Sequence, residues 1–401
     1  MKSTLIYILT IAAFIGLWSC DISDNEIAPG ESFLKIYDNN GFQASFIPLD
    51  VKQTTDGGYI ILGGTRLNDS DFIGVYLMKV DEEGNFVSEQ NLSSQFVHPI
   101  YNLMEIDNSF YFMAMDGVTL QAYIFSISQA GELGDPVPVS GLQYPLYASV
   151  DAGGSNILLL SYNNGDKTSV LSVVTPTGQT AAGKAFPIGA GSDVEAPIIE
   201  HFTRTGKQLP FITGRTDNGL YYFNGFYNYT LSLIFTNLSD DEPIGVTQGQ
   251  QHYGGISALS PIGNNNFAIA RFNFGDNYLN PRAQLSVTST TSTVDLDGNP
   301  FPELVEDAPV IVKQVDINGT QVSLYASNTK NGQISLFAFS SSSGELLGTK
   351  YLGFSNPFEL AGFTSTEDEG LAVAGTTYVA GRFGRICLIK LSKEELSELV
   401  K

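Results

Sequence analysis

The chain has 401 residues, with 42 acidic side chains against 20 basic ones and a formal net charge of −22. Such a surface repels nucleic-acid phosphates, and no basic stripe offsets it, which excludes nucleic acid as a partner. It repels anionic lipid headgroups too, and it attracts cations or basic proteins.

The chain opens on Lys2 and an apolar stretch from Leu5 to Leu17; Leu17 and Ser19 stand three and one residues before Cys20. This run resembles a bacterial lipoprotein signal peptide, although Trp18 occupies a position where small residues are commoner. The resemblance implies a signal peptide over 1–19, removed after the Cys20 thiol has received a diacylglycerol. A plain secretory signal suits the same stretch. A spanning helix suits it less, because the stretch is short for a span of about 20 residues and no basic cluster follows. Asp21-Ile22-Ser23-Asp24-Asn25-Glu26 then begins an acidic tether over 20–30. It is similar to the surface-export signals of Bacteroidota lipoproteins, and it also reads as a merely solvated linker. The implied address is the outer membrane, lipid-anchored and exposed at the cell surface.

Residues 31–391 repeat one pattern. The clearest unit, LDVKQTTDGGYIILGGT at 49–65, is echoed by ELAGFTSTEDEGLAVAGTT at 359–377. Each reads as a strand, a tight Asp/Gly turn and a second strand. Similar turns fall at Asp56, Asn108, Asp151, Gly206, Asn264, Asn318 and Asp368. A third strand leads into a second turn whose glycines, Gly84, Gly131 and Gly178, are 47 residues apart. Seven units of roughly 45–55 residues, each with three or four short strands, predict an all-β chain forming one β-propeller of seven four-stranded blades. The last unit runs out after 385–391, and a spare strand at 32–37 precedes the first. The N-terminal strand is therefore expected to complete the last blade and hide its edge. Residues 392–401 read as a short C-terminal helix or tail.

The runs TTDGGYIILGGT and YLMKVDEEGNF resemble the repeat of Bacteroidota β-propeller lipoproteins, whose blades carry D-G-G-Y-type and K-x-D-x-x-G turns. The resemblance implies a fold and an address; members of that group are mostly without an assigned activity.

Chemistry is harder to find. Thr54-x-Asp56-x-Gly58 and Thr366-x-Asp368-x-Gly370 are similar to the Asp-box turn of sialidase-type propellers. Ile61 and Val373 stand where that element has an aromatic residue, and the element reads as a structural turn. His98, His201 and His252 are too far apart for zinc-ligand spacing. Glu200-His201 falls on a stretch read as an inner strand, 196–202, facing a central channel. Asp295, Asp297 and Glu306 fit no EF-hand, so no cofactor is expected beyond a loose calcium site. Cys387, in an apolar run, reads as a buried structural thiol. The aromatic run 221–229, with Tyr222 and Tyr227, is a candidate exposed hairpin for docking; ordinary strands burying alternate rings are the simpler reading.

Loops joining successive blades lie on the same face as those between second and third strands. Read this way, that face collects Asp69, Asp71, Asp166, Asp193, Glu195, Asp217, Asp240, Asp241, Glu242, Asp276, Glu303, Glu306 and Asp307, suiting a basic partner or divalent cations. The expectation is a non-enzymatic lipid-anchored propeller that binds a protein partner or serves an envelope assembly. The alternative is a polysaccharide-active enzyme using paired carboxylates on one face.

Overall fold

Strands and tight turns alternate along almost the whole chain. The structure, a computed structural model, describes residues 30–38, 45–67, 70–92, 95–189, 192–378 and 383–401. The protein is a β-propeller. Among the described residues the strands group into seven antiparallel four-stranded meanders, numbered here as blades in chain order. Their innermost strands are Phe46–Gln53, Met104–Ile106, Pro145–Val150, Ile212–Arg215, Gly254–Gly263, Val310–Ile317 and Phe358–Ser365. A two-residue strand, Phe96–Val97, pairs with both blade one and blade two and joins them into one sheet.

Burial follows position in the blade. The third strand of blade one, Ile73–Val80, is buried at every residue, whereas the outermost strand, Phe86–Asn91, is almost wholly exposed. Middle strands are covered on both faces by neighbouring blades, so they read as unbroken apolar runs rather than alternating ones. The glycines at 84, 131 and 178 hold one conformation, with φ of 76°, 84° and 80°. Each closes the same turn: Gly84 donates to the Asp81 carbonyl, Gly131 to Ser128 and Gly178 to Thr175. A left-handed residue is required there, which favours glycine.

Blade seven contains three strands from the end of the chain and one from its start. Phe33–Tyr37 pairs antiparallel with Arg385–Leu391, from Phe33 opposite Lys390 to Tyr37 opposite Ile386. Every residue of Arg385–Leu391 is buried. Without the N-terminal strand its backbone donors and acceptors would form an open edge. Contacts also cross from blade seven to blade one: Gln53 Oε1 accepts from the Glu367 amide at 2.7 Å. A short helix, α2 (Lys393–Ser397), follows, capped by the Ser392 side chain, and it buries Leu396.

The sequence expectation fails in unit four. Residues 196–202 are not a strand but part of helix α1, Ser192–Thr203. Val194, Ile198 and Phe202 recur every four residues and are all buried, while Ile199 is exposed, a helical spacing rather than period two. Asp193 and Glu195 in its first turn complement the helix dipole. Pro197 removes one backbone hydrogen bond and would also have fitted an interior strand poorly. Every later strand of that unit shifts by one: Ile212–Arg215 is innermost, Tyr221–Tyr227 second, Thr230–Thr236 third and Gly245–Gln248 fourth.

The Asp/Gly turns of blades one and seven contain a buried cation. Lys79 Nζ lies 2.8 Å from Asp56 Oδ1 and 2.5 Å from Thr54 Oγ1. Lys390 repeats this with Asp368 at 2.7 Å and Thr366 at 2.9 Å. Both lysine side chains are 5% exposed or less. Burial alone would raise the Asp56 pKa, but hydrogen bonds from Lys79, Thr54 and the Gly58 amide outweigh it and hold the carboxyl at about 2. Asp368 is lowered for the same reasons.

Asp56→Ala strands a buried ammonium and is expected to cost about 2 kcal/mol in denaturant unfolding; Lys79→Met leaves an accessible carboxylate and is expected to cost less. The Asp56 contribution is fully present above the ordinary carboxylate range near 4 and is lost as pH falls toward about 2. At the seam, Phe33→Ala in the closing strand is expected to lower stability by about 3 kcal/mol, through one cooperative transition measured by circular dichroism.

Candidate binding site at the channel mouth

The innermost strands surround an axial channel, and their N-terminal ends open into a cavity of about 720 Å³. It lies at the end of the blades that carries the blade-to-blade connections. Asp50, Tyr101, Tyr147, Lys313 and Glu359 reach it from blades one, two, three, six and seven. The last turn of α1 supplies His201, and the segment between α1 and the innermost strand of blade four crosses its rim and supplies Arg204, Lys207, Gln208, Leu209 and Phe211. Glu306 and Asp307 come from the connection into blade six. Size and lining match those of a small-molecule site, mostly apolar walls with a few converging polar groups.

The polar groups differ in how they are satisfied. Asp50 is buried and accepts from the Leu103 amide at 2.8 Å. Lys207 pairs with Asp307 at 3.0 Å and stands 3.5 Å over the Phe272 ring. Burial lowers the Lys207 pKa against the opposing pull of Asp307. Lys313 donates to the Phe363 carbonyl and stands 4.9 Å from its ring centre. Burial lowers its pKa, and the Asp50 carboxylate opposes the shift. Tyr147 is pushed up by burial and then by Asp50. Arg204 donates to the Tyr101 hydroxyl at 3.1 Å.

Two buried histidines back the rim. His98 and His201 rings are 6.0 Å apart, and His201 packs edge-on against Phe211. The Leu209 amide donates to His201 Nδ1 at 3.0 Å. Burial, then Arg204, lowers His98 to about 3; burial, His98 and Arg204 lower His201 well below its ordinary value. Both are neutral at pH 7.

The predicted site residues divide between the two ends of the propeller. Asp71 lies between second and third strands of blade one, Asp193 and Glu195 in the first turn of α1, and Asp276 at the start of a third strand, all toward the channel mouth. With the strands of blade four shifted, Asp217 falls in its first-to-second turn and Asp240 and Asp241 in its third-to-fourth turn. Both turns belong to the opposite end. The single acidic face is therefore corrected to acids at both ends, several already engaged: Glu195 with Lys167 at 2.7 Å, Asp241 with Lys184 at 2.7 Å. Asp69 and Cys20 lie outside the described residues. Tyr222 is buried in the second strand of blade four, so the exposed-hairpin reading is corrected to a core strand. Tyr227 is half-buried and donates to Glu242 at 3.0 Å. Exposed stacked rings occur elsewhere, at Tyr253 and Phe274, 5.9 Å apart and 8° from parallel. His201 does line the channel, as expected, but from a helix.

Sequence reading missed Arg204, Lys207 and Lys313. Lys313 had a visible signal, a lone cation in the strand Val310–Ile317; the other two lie in an irregular segment with none. No group of three or more His, Cys, Asp or Glu among the described residues is arranged to hold a metal ion. No helix among them is long and apolar enough to cross a membrane.

No protein-family model matches the chain. No curated protein sequence matches it either. Among solved structures it is similar to the β-propeller domain of the Trilobed protease from Pyrococcus furiosus, described as having an open velcro topology. That likeness has 8% identity and a TM-score of 0.45, covering 89% of this chain and 98% of that one. It is similar to the Dos1 propeller at 9% identity and a TM-score of 0.48, covering 90% and 95%. A protein of unknown function from Bacteroides caccae is similar at 10% identity and a TM-score of 0.40, covering 84% and 91%.

Because His98 and His201 are held neutral, the unfolded chain binds more protons than the native one below the ordinary histidine range near 6.5. Stability should therefore fall as pH drops from 7 to 4.5. His98→Leu is expected to flatten that part of a melting-temperature profile.

Proposed function

We propose that the protein is a lipid-anchored binding propeller of the cell envelope, held at the outer membrane through Cys20, exposed at the cell surface, and related to the Bacteroidota β-propeller lipoproteins that its D-G-G-Y repeat resembles. The run Leu17-Trp18-Ser19-Cys20 after an apolar stretch carries the anchoring half of this reading. The cavity at the channel mouth supports the binding half.

Binding rather than covalent catalysis is favoured by the state of the reactive side chains. The Cys387 thiol is buried, and that burial pushes its pKa up to about 12, leaving no thiolate for attack. Among the described residues none of the three histidines hydrogen-bonds a hydroxyl or a carboxylate, so no base stands ready to activate a nucleophile. A partner drawn from the envelope would meet the channel end of the propeller through its exposed loops and the Tyr253–Phe274 rings.

Replacing the anchor tests the reading directly. In the native host, Cys20→Ala is expected to abolish labelling by a fatty-acid analogue and to shift the protein from the membrane fraction to a soluble or unprocessed form. Unchanged labelling and fractionation of the variant would overturn the assignment. Protease accessibility on intact cells is expected to show the wild-type protein on the outer surface.

A further inference from the structure

The charges at the channel mouth are unevenly paired. Lys207 is neutralised by Asp307 at 3.0 Å. Arg204, by contrast, has no ion-pair partner among the described residues; its hydrogen bond goes to the neutral Tyr101 hydroxyl at 3.1 Å. That bond uses one of the five donors of a guanidinium. Arg204 therefore lines the cavity with most of its donors uncommitted to any carboxylate.

A second observation points the same way. His201 is 3% exposed and lines the same cavity. Its Nδ1 accepts from the Leu209 amide, which places the ring proton on Nε2. Nε2–H has no protein partner among the described residues. Burial, the second histidine and the Arg204 charge all keep the ring neutral, so this donor is fixed rather than titrating near pH 7.

We infer that the channel mouth binds a monoanionic carboxylate carried on an apolar body, with the Arg204 guanidinium and the His201 Nε2–H as donors to its oxygens. This rests on the binding reading above and gives it a ligand class. A planar fork of N–H groups matches a carboxylate. Arg204, Lys207 and Lys313 face Asp50, Glu306, Asp307 and Glu359 around the same cavity, with Lys313 turned to the Phe363 carbonyl, and that excess of acid disfavours a dianion such as a phosphate monoester. Leu146, Leu209, Phe211 and Phe272 supply apolar wall for the remainder of the ligand. The carboxylate has two possible sources: a free small acid or the C-terminus of a peptide.

The test uses the processed full-length protein in detergent. Calorimetric titration compares 4-phenylbutyrate with its amide, and acetyl-Ala-Ala-Phe with a free against an amidated C-terminus. At least one acid is expected to bind tenfold or more tightly than its amide, and the pair that shows the difference identifies the source. Phenyl phosphate is expected to bind more weakly than 4-phenylbutyrate. Arg204→Gln should lose tenfold or more of the acid affinity with an unchanged melting temperature, and Arg204→Lys should recover part of it. If neither acid binds, if acid and amide bind alike, or if folded R204Q retains full affinity, the inference is wrong. Those outcomes leave the Cys20 labelling result untouched, so this inference and the envelope assignment fail separately.

Discussion

The pairing of Phe33–Tyr37 with Arg385–Leu391 is the constraint on which the other interactions rest. Each blade buries its faces against its neighbours, so no blade has a core of its own. A ring of such blades is stable only if each finds a neighbour on both sides, and blade seven lacks a fourth strand until the start of the chain supplies it. The Gln53–Glu367 contact then ties the completed blade to the first. With the seam closed, the innermost strands are held at a common radius, and the channel they surround has a defined mouth.

Above that frame the structure departs from its own repeat at one place. Helix α1 and the segment after it replace a short blade-to-blade connection with a rim of His201, Arg204, Lys207 and Phe211 across the channel. The regular blades supply walls and depth, while the irregular insertion supplies the unsatisfied donors. This matches the general pattern in which a rigid scaffold positions function on its connections.

How much of this was legible in the sequence depended on what each position had to satisfy locally. The turn glycines 84, 131 and 178 were readable because each must adopt positive φ, and that requirement repeats with the blade. The buried lysine beneath each Asp/Gly turn was present as a pattern, Lys79 in YLMKV and Lys390 in CLIKL, but its significance depends on a contact 23 or 22 residues away. Unit four was misread because period two was assumed where Val194, Ile198 and Phe202 mark period four. That single slip moved Asp217, Asp240 and Asp241 to the wrong end. Arg204 could not have been found at all, since its importance lies in what fails to stand beside it.

The entry of the closing strand carries a geometric consequence. Phe33 is paired beside Lys390, close to the Asp368 turn, and Gly30 lies against Asp368 itself. The chain thus enters the ring at the end opposite the channel mouth. On the anchoring proposed above, eleven residues separate Cys20 from Ser32; at about 3.5 Å each they reach no more than about 40 Å. So short a leash would hold the Asp/Gly turns toward the bilayer and aim the cavity outward. Any pull on the lipid would be transmitted first to the strand that latches the ring, so mechanical load and ring opening would share one element.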